Sequence, residues 1–206
     1  MVNQRGFRPA WYLRNRHFQT IIPNIIHPAY PEGQKQRIEL DDGDFLDLLW
    51  SKHRSPQTLL ILHGLEGSSN SAYAKRILNY CNQQRIAAVL MHFRGCSGEP
   101  NRLLRSYHSG ETGDIRRVIN HLKTCNVEDI ALLGYSLGGN VTLKYMGEAE
   151  TDPVIRLAIG VSVPFRLDIC ATAMNRGFAR VYQRSLLNRL IHKMQFKQHL
   201  LEADAR

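Results

Sequence analysis

The 206-residue sequence predicts an α/β protein, a mostly parallel sheet with helices on both faces. Three observations carry that reading. Short apolar, β-rich runs recur at Thr58–Leu62, Ile86–Phe93 and Ile130–Leu133; helical stretches at Ser71–Gln83 and Glu111–Thr124 separate them; and a glycine-flanked serine follows the third run directly. Strands without polar alternation must be covered on both faces, and connections long enough to hold a helix make them parallel.

Taken in order, Arg37–Leu40 and Phe45–Trp50 flank Asp42-Gly43, a pair that tolerates positive φ, so these first two strands form an antiparallel hairpin. In the stretch from Glu111 to Thr124, Ile115, Val118, Ile119 and Leu122 recur at helical spacing and make one apolar face to lay on the sheet. A third helix is expected from Leu137 to Glu148 and a further apolar strand from Ile155 to Val163. The last forty residues carry no strand signal. Phe178, Val181, Leu186, Leu187, Leu190 and Ile191 lie there at helical spacing among many Arg and Lys, as in one or two amphipathic helices. The chain thus divides into an N-terminal extension packing on the core (1–35), the α/β core (36–165) and an incomplete helical cap or lid (166–206).

Charge and composition exclude several classes. The formal charge of +9 is concentrated at the ends: residues 1–20 hold four Arg and no acid, residues 166–206 hold eight basic and three acidic side chains, and the segment between balances fifteen against fifteen. A nucleic-acid domain concentrates its basic residues on the folded surface that docks phosphates, so a nucleic-acid partner is not expected. Apolar runs such as Ile86–Met91 fall far short of the roughly 18 residues of a spanning helix. The start lacks the apolar stretch of a secretory signal, although its Arg-rich, acid-free character has a faint likeness to an organelle transit peptide. Cys81, Cys96, Cys125 and Cys170 are widely spaced with no C-x-x-C, which indicates neither a zinc site nor a disulfide framework and fits a reducing cytoplasm.

The chemistry centres on Gly134-Tyr135-Ser136-Leu137-Gly138-Gly139. A serine on a tight strand-to-helix turn is held above the sheet, and glycines two residues to either side leave room for a strained backbone. The helix N-terminus behind it supplies free N–H groups and a positive dipole end for developing negative charge. His63-Gly64-Leu65-Glu66-Gly67-Ser68 follows the third strand, where this architecture places the other oxyanion donor, so the N–H groups of Leu65 and Leu137 are the expected pair. No G-K-[ST] follows, which disfavours a nucleotide loop. His63 reads as a structural loop histidine, and nothing in the spacing pairs His92, His108 or His121 with Ser136.

The succession HGLEGS, HFRGCSGEPN (His92–Asn101), YHSGET (Tyr107–Thr112) and GYSLGGN (Gly134–Asn140) closely resembles the YheT-like branch of the α/β-hydrolase superfamily. The early FRPAW and RNRHFQTIIP and the late Gly177–Arg184 segment are similar to that branch too. The resemblance implies the α/β-hydrolase fold with an eight-stranded, mostly parallel sheet, carboxylesterase or acylglycerol-lipase chemistry on small-molecule or lipid esters, Ser136 as nucleophile, and no cofactor or metal. In such enzymes an acid and then a histidine follow the serine on later strands. Downstream of Ser136 only His192 and His199 occur, both in the basic tail, and Asp168 reads as a cap or turn residue. The expectation is therefore a truncated hydrolase lacking its last two strands, with its acid and base in a complementing C-terminal fragment. The alternatives are a non-catalytic binding module on the same fold, or His192 or another histidine recruited as base. A basic cap further implies peripheral contact with lipid headgroups, and an unpaired sixth strand implies poor solubility alone.

Overall fold

A computed structural model describes residues 8–15, 18, 19, 22, 28–148, 152–198 and 200. The strands are β1 (Gly33–Glu39), β2 (Phe45–Ser51), β3 (Gln57–Leu62), β4 (Ala88–Met91), β5 (Asp129–Tyr135) and β6 (Ile155–Val161). The helices are α1 (Ala72–Gln83), α2 (Gly113–Thr124), α3 (Leu137–Gly147), α4 (Leu167–Met174) and α5 (Ala179–Phe196). The predicted elements are all present; β1 begins four residues earlier than expected, and β4 is shorter.

The six strands stand in the order β1-β2-β4-β3-β5-β6. β1 and β2 pair antiparallel, β2 also runs antiparallel to β4, and the remaining pairs are parallel. From β3 the chain crosses one way through α1 to β4, then back over β3 through α2 to β5. The carboxyl ends of β3 and β5 therefore flank a point where the winding reverses, and this is where open α/β sheets leave a crevice.

Two apolar layers hold the sheet. Leu46, Leu48, Trp50, Leu60, Leu62, Val89, Met91 and Leu132 pack with α2 and α3, and all four residues of the periodic α2 face are fully buried there. Each such side chain contributes about 1.5–3 kcal/mol relative to exposure. On the opposite face Leu49, Ile61, Ala88 and Leu90 pack against Ala74, Leu78 and Cys81 of α1. Among the described residues β6 pairs with β5 alone, and Leu157 and Ile159, on the same sheet face as Leu133, are 52% and 42% exposed.

The hairpin turn is tied to the core by charge. Arg94, fully buried, donates to Asp114 (Nε–Oδ2, 2.8 Å), Asp44 (Nη1–Oδ2, 2.9 Å) and Asp42 (Nη2–Oδ2, 2.8 Å). These bonds, that to Asp114 foremost, push the guanidinium pKa up. Burial would raise the Asp44 carboxyl, but hydrogen bonds from Asn101, the Arg102 and Phe45 backbones and Arg94 outweigh it and hold it below its ordinary range. The RGCSGEPN signature is thus, in large part, the anchor that brings the β4 loop to the first hairpin.

The cap forms two helices, as the periodicity suggests, but its apolar residues do not close on the core: Phe165, Ile169, Phe178, Val181, Leu187 and Ile191 remain exposed. Polar contacts tie α5 to the body, from Lys193 in its last turn and from Lys197 just past its end. Among the described residues no helix is long and apolar enough to cross a membrane.

Candidate active site

Ser136 sits between β5 and α3 at φ 51° and ψ −115°, a left-handed backbone that a non-glycine residue adopts only under compulsion. Several contacts enforce it. The Ser136 N–H donates to the Val161 carbonyl of the neighbouring strand at 2.8 Å, while its own carbonyl accepts from Asn140 N–H at 3.1 Å and so starts α3. At Gly134 a Cβ would lie 2.3 Å from the Gly138 oxygen and 2.4 Å from Thr142 Oγ1; at Gly138 it would lie 2.5 Å from the His63 oxygen. The glycines of the serine motif are required because helix and strand backbones touch, and that closeness bends the chain sharply at Ser136.

The loop after β3 lies directly beside the serine: a Cβ on Gly64 would stand 3.3 Å from Ser136 Cβ. Its backbone donors can be accounted for one by one. Gly64 N–H donates to Tyr73 Oη (2.9 Å), Glu66 N–H to Tyr107 Oη (2.8 Å), and Gly67 N–H to the Gly64 oxygen (3.0 Å). Ser68 N–H donates to Ser71 Oγ, Ser69 N–H to His92 Nε2, and Asn70 N–H to Ser68 Oγ. From Gly64 to Asn70, Leu65 is the residue whose N–H has no acceptor among the described residues. Leu137 opens α3, and the first N–H groups of a helix have no carbonyl in their own helix to meet.

The two histidines nearest these loops are structural. His63 is fully buried; its Nδ1–H donates to the Gly64 oxygen at 2.7 Å and Nε2 accepts from Phe93 N–H at 3.1 Å. Burial pushes its pKa down to about 3, so the ring stays neutral while bridging the loops after β3 and β4. His92 does the same between the Asp47 carbonyl and Ser69 N–H, and burial likewise lowers its pKa. Neither imidazole has a nitrogen left to serve Ser136. His192 packs edge-on against Phe196 within α5, and Asp168, in the first turn of α4, is paired with Arg166. His199 lies outside the described residues. Among the described residues no side chain is hydrogen-bonded to Ser136 Oγ.

A buried cluster that no local sequence pattern announces stands beside this loop. Tyr107 Oη donates to Glu66 Oε1 at 2.7 Å, and Lys193 Nζ, from α5, donates to the same oxygen at 2.8 Å. Nothing in local spacing links Glu66, Tyr107 and Lys193; only the YHSGET and HGLEGS motifs, side by side in the fold, hinted that two of them matter.

A strained serine at the switch point of a doubly covered parallel sheet, with a glycine loop beside it, defines the class of the α/β hydrolases. Comparison with known proteins agrees: the family model for the alpha/beta hydrolase fold matches residues 57–200, and this chain belongs to that family. Within the family it is 42% identical over 196 residues to “Putative esterase YheT” of Escherichia coli strain K12, a match covering 89% of this chain and 56% of that relative. A monoacylglycerol lipase of Saccharomyces cerevisiae is 31% identical over 150 residues, 71% of this chain and 33% of the lipase. Among solved structures, the Pyrococcus furiosus esterase Pf2001 superposes with a TM-score of 0.57 at 20% identity, covering 66% of this chain and 54% of that one, a likeness of fold. The chain spans about half the length of the curated relatives it matches.

Proposed function

We propose that this chain carries the nucleophile and oxyanion half of a serine ester hydrolase. A base takes the Ser136 proton as Oγ attacks the ester carbonyl, the N–H groups of Leu65 and Leu137 stabilise the tetrahedral oxyanion, the C–O bond to the alcohol breaks and the alcohol leaves with that proton, and water then hydrolyses the acyl-serine to release the carboxylic acid. The observation that supports this most directly is the pairing of a φ 51° serine with a neighbouring loop whose backbone N–H groups from Gly64 to Asn70, Leu65 apart, all find acceptors among the described residues. The acid and base belong, in this reading, to a segment that docks beside β6, which pairs with β5 alone among the described residues and leaves Leu157 and Ile159 exposed on its face. No cofactor enters the mechanism. The exposed apolar and basic residues of α4 and α5 suit an amphiphilic ester and a lipid surface; co-sedimentation with anionic vesicles in excess over neutral ones is the expected result.

A second reading has its own support. Because no base is hydrogen-bonded to Ser136 among the described residues, the chain by itself would serve as a binding module. A fluorophosphonate probe separates the two: labelling of the protein that is lost in Ser136→Ala establishes a live nucleophile, whereas a protein that stays unlabelled even together with the segment supplying acid and base favours the binding module.

A further inference from the structure

Lys193 stands in the cap, yet its ammonium group reaches into the body of the protein. Nζ donates to Glu66 Oε1 at 2.8 Å and to Cys96 Sγ at 3.0 Å, and lies 5.6 Å from the centroid of the Tyr107 ring. The Glu66 side chain is 3% exposed, so its carboxylate depends on this cation and on the Tyr107 hydroxyl for the solvation that water cannot supply. Glu66 itself is held at φ 53°, and its N–H donates to that same hydroxyl. Leu65 is therefore clamped on both sides, by Tyr73 through Gly64 and by Tyr107 through Glu66.

We propose that Lys193 is a positioning residue through which α5 aligns the Leu65 N–H: its charge holds Glu66 and Tyr107 in the arrangement that aims the loop at Ser136. The inference rests on the reading of Leu65 as an oxyanion donor. Removing the ammonium leaves a buried carboxylate unpaired, and the loop must open to hydrate it. Lys197, four residues on and capping the end of α5, supplies a built-in comparison: it donates to the carbonyls of Leu103 and Arg105 and not to Glu66.

Amide hydrogen exchange on the intact chain tests this. In Lys193→Met, amides 63–70 should exchange at least about tenfold faster, while β3 and β5 are unchanged. Lys193→Arg should restore most of the protection. Lys197→Met should loosen α5 but leave 63–70 within about twofold of wild type. Glu66→Gln combined with Lys193→Met, which removes the charge that needs neutralising, should return the loop toward wild-type exchange and carries the same information if the single variant folds poorly. Unchanged exchange at 63–70 in Lys193→Met, or equal acceleration in Lys197→Met, would overturn the proposal. Fluorophosphonate labelling adds the chemical arm: Lys193→Met should lower the maximal labelling rate with little change in half-saturating probe concentration. Because the acid and base lie, in the proposed reading, on another segment, a wild-type protein that does not label speaks to that reading and not to the coupling, which the exchange data decide.

Discussion

Gly138 of α3 lies so close to His63 that a Cβ added to it would stand 2.5 Å from the His63 carbonyl oxygen, with the Leu62 oxygen at 2.6 Å. Both are backbone atoms of the strand and loop that carry the candidate oxyanion donor, so neither can move aside cheaply. The helix that follows Ser136 and the loop after β3 are thus in direct backbone contact.

Gly138→Ala should accordingly lower unfolding stability by about 1–3 kcal/mol, even though Ala gains roughly 1 kcal/mol over Gly in a helix interior. Gly147→Ala, at the end of the same helix where a Cβ meets nothing within 4 Å, should be neutral or mildly stabilising. Urea unfolding of the two variants checks the contrast; equal effects would refute the close-packing account.

Strain at Ser136 makes a separate prediction. Its φ of 51° and ψ of −115° cost about 1–3 kcal/mol that glycine would largely avoid. Ser136→Gly should raise stability by about 1–2 kcal/mol, whereas Ser136→Ala, which keeps the Cβ, should change it little. Thermal and urea midpoints of both variants, measured side by side, provide the check.

Acid should weaken the fold through His63. Its folded-state pKa of about 3 lies below the ordinary 6.5, so the unfolded chain takes up the proton first as pH falls. The contribution is complete above pH 6.5 and declines by up to about 1.4 kcal/mol per pH unit down to a pH of about 3. His92, also depressed by burial, adds a decline of the same sign. Between about pH 6.5 and 5, before most carboxylates titrate, wild-type stability should fall with acid and His63→Gln should show a visibly shallower slope. Identical slopes would place the histidine in a solvated setting instead.

Much of this protein is determined by residues close together in its sequence. The periodic Ile115, Val118, Ile119 and Leu122, the Asp42-Gly43 turn and the glycines around Ser136 specify helix, hairpin and bent strand-to-helix turn through local sterics and periodicity, which a linear sequence displays. The tertiary structure alone decides the rest. His63 and His92 become neutral braces because burial and two backbone partners occupy each ring. Arg94 gathers Asp42, Asp44 and Asp114 from up to 52 residues away, and Lys193 meets Glu66 across 127. Such contacts leave no period or spacing behind, because they depend on which loops the order of strands brings to the same end of the sheet, and that order is a property of the whole fold.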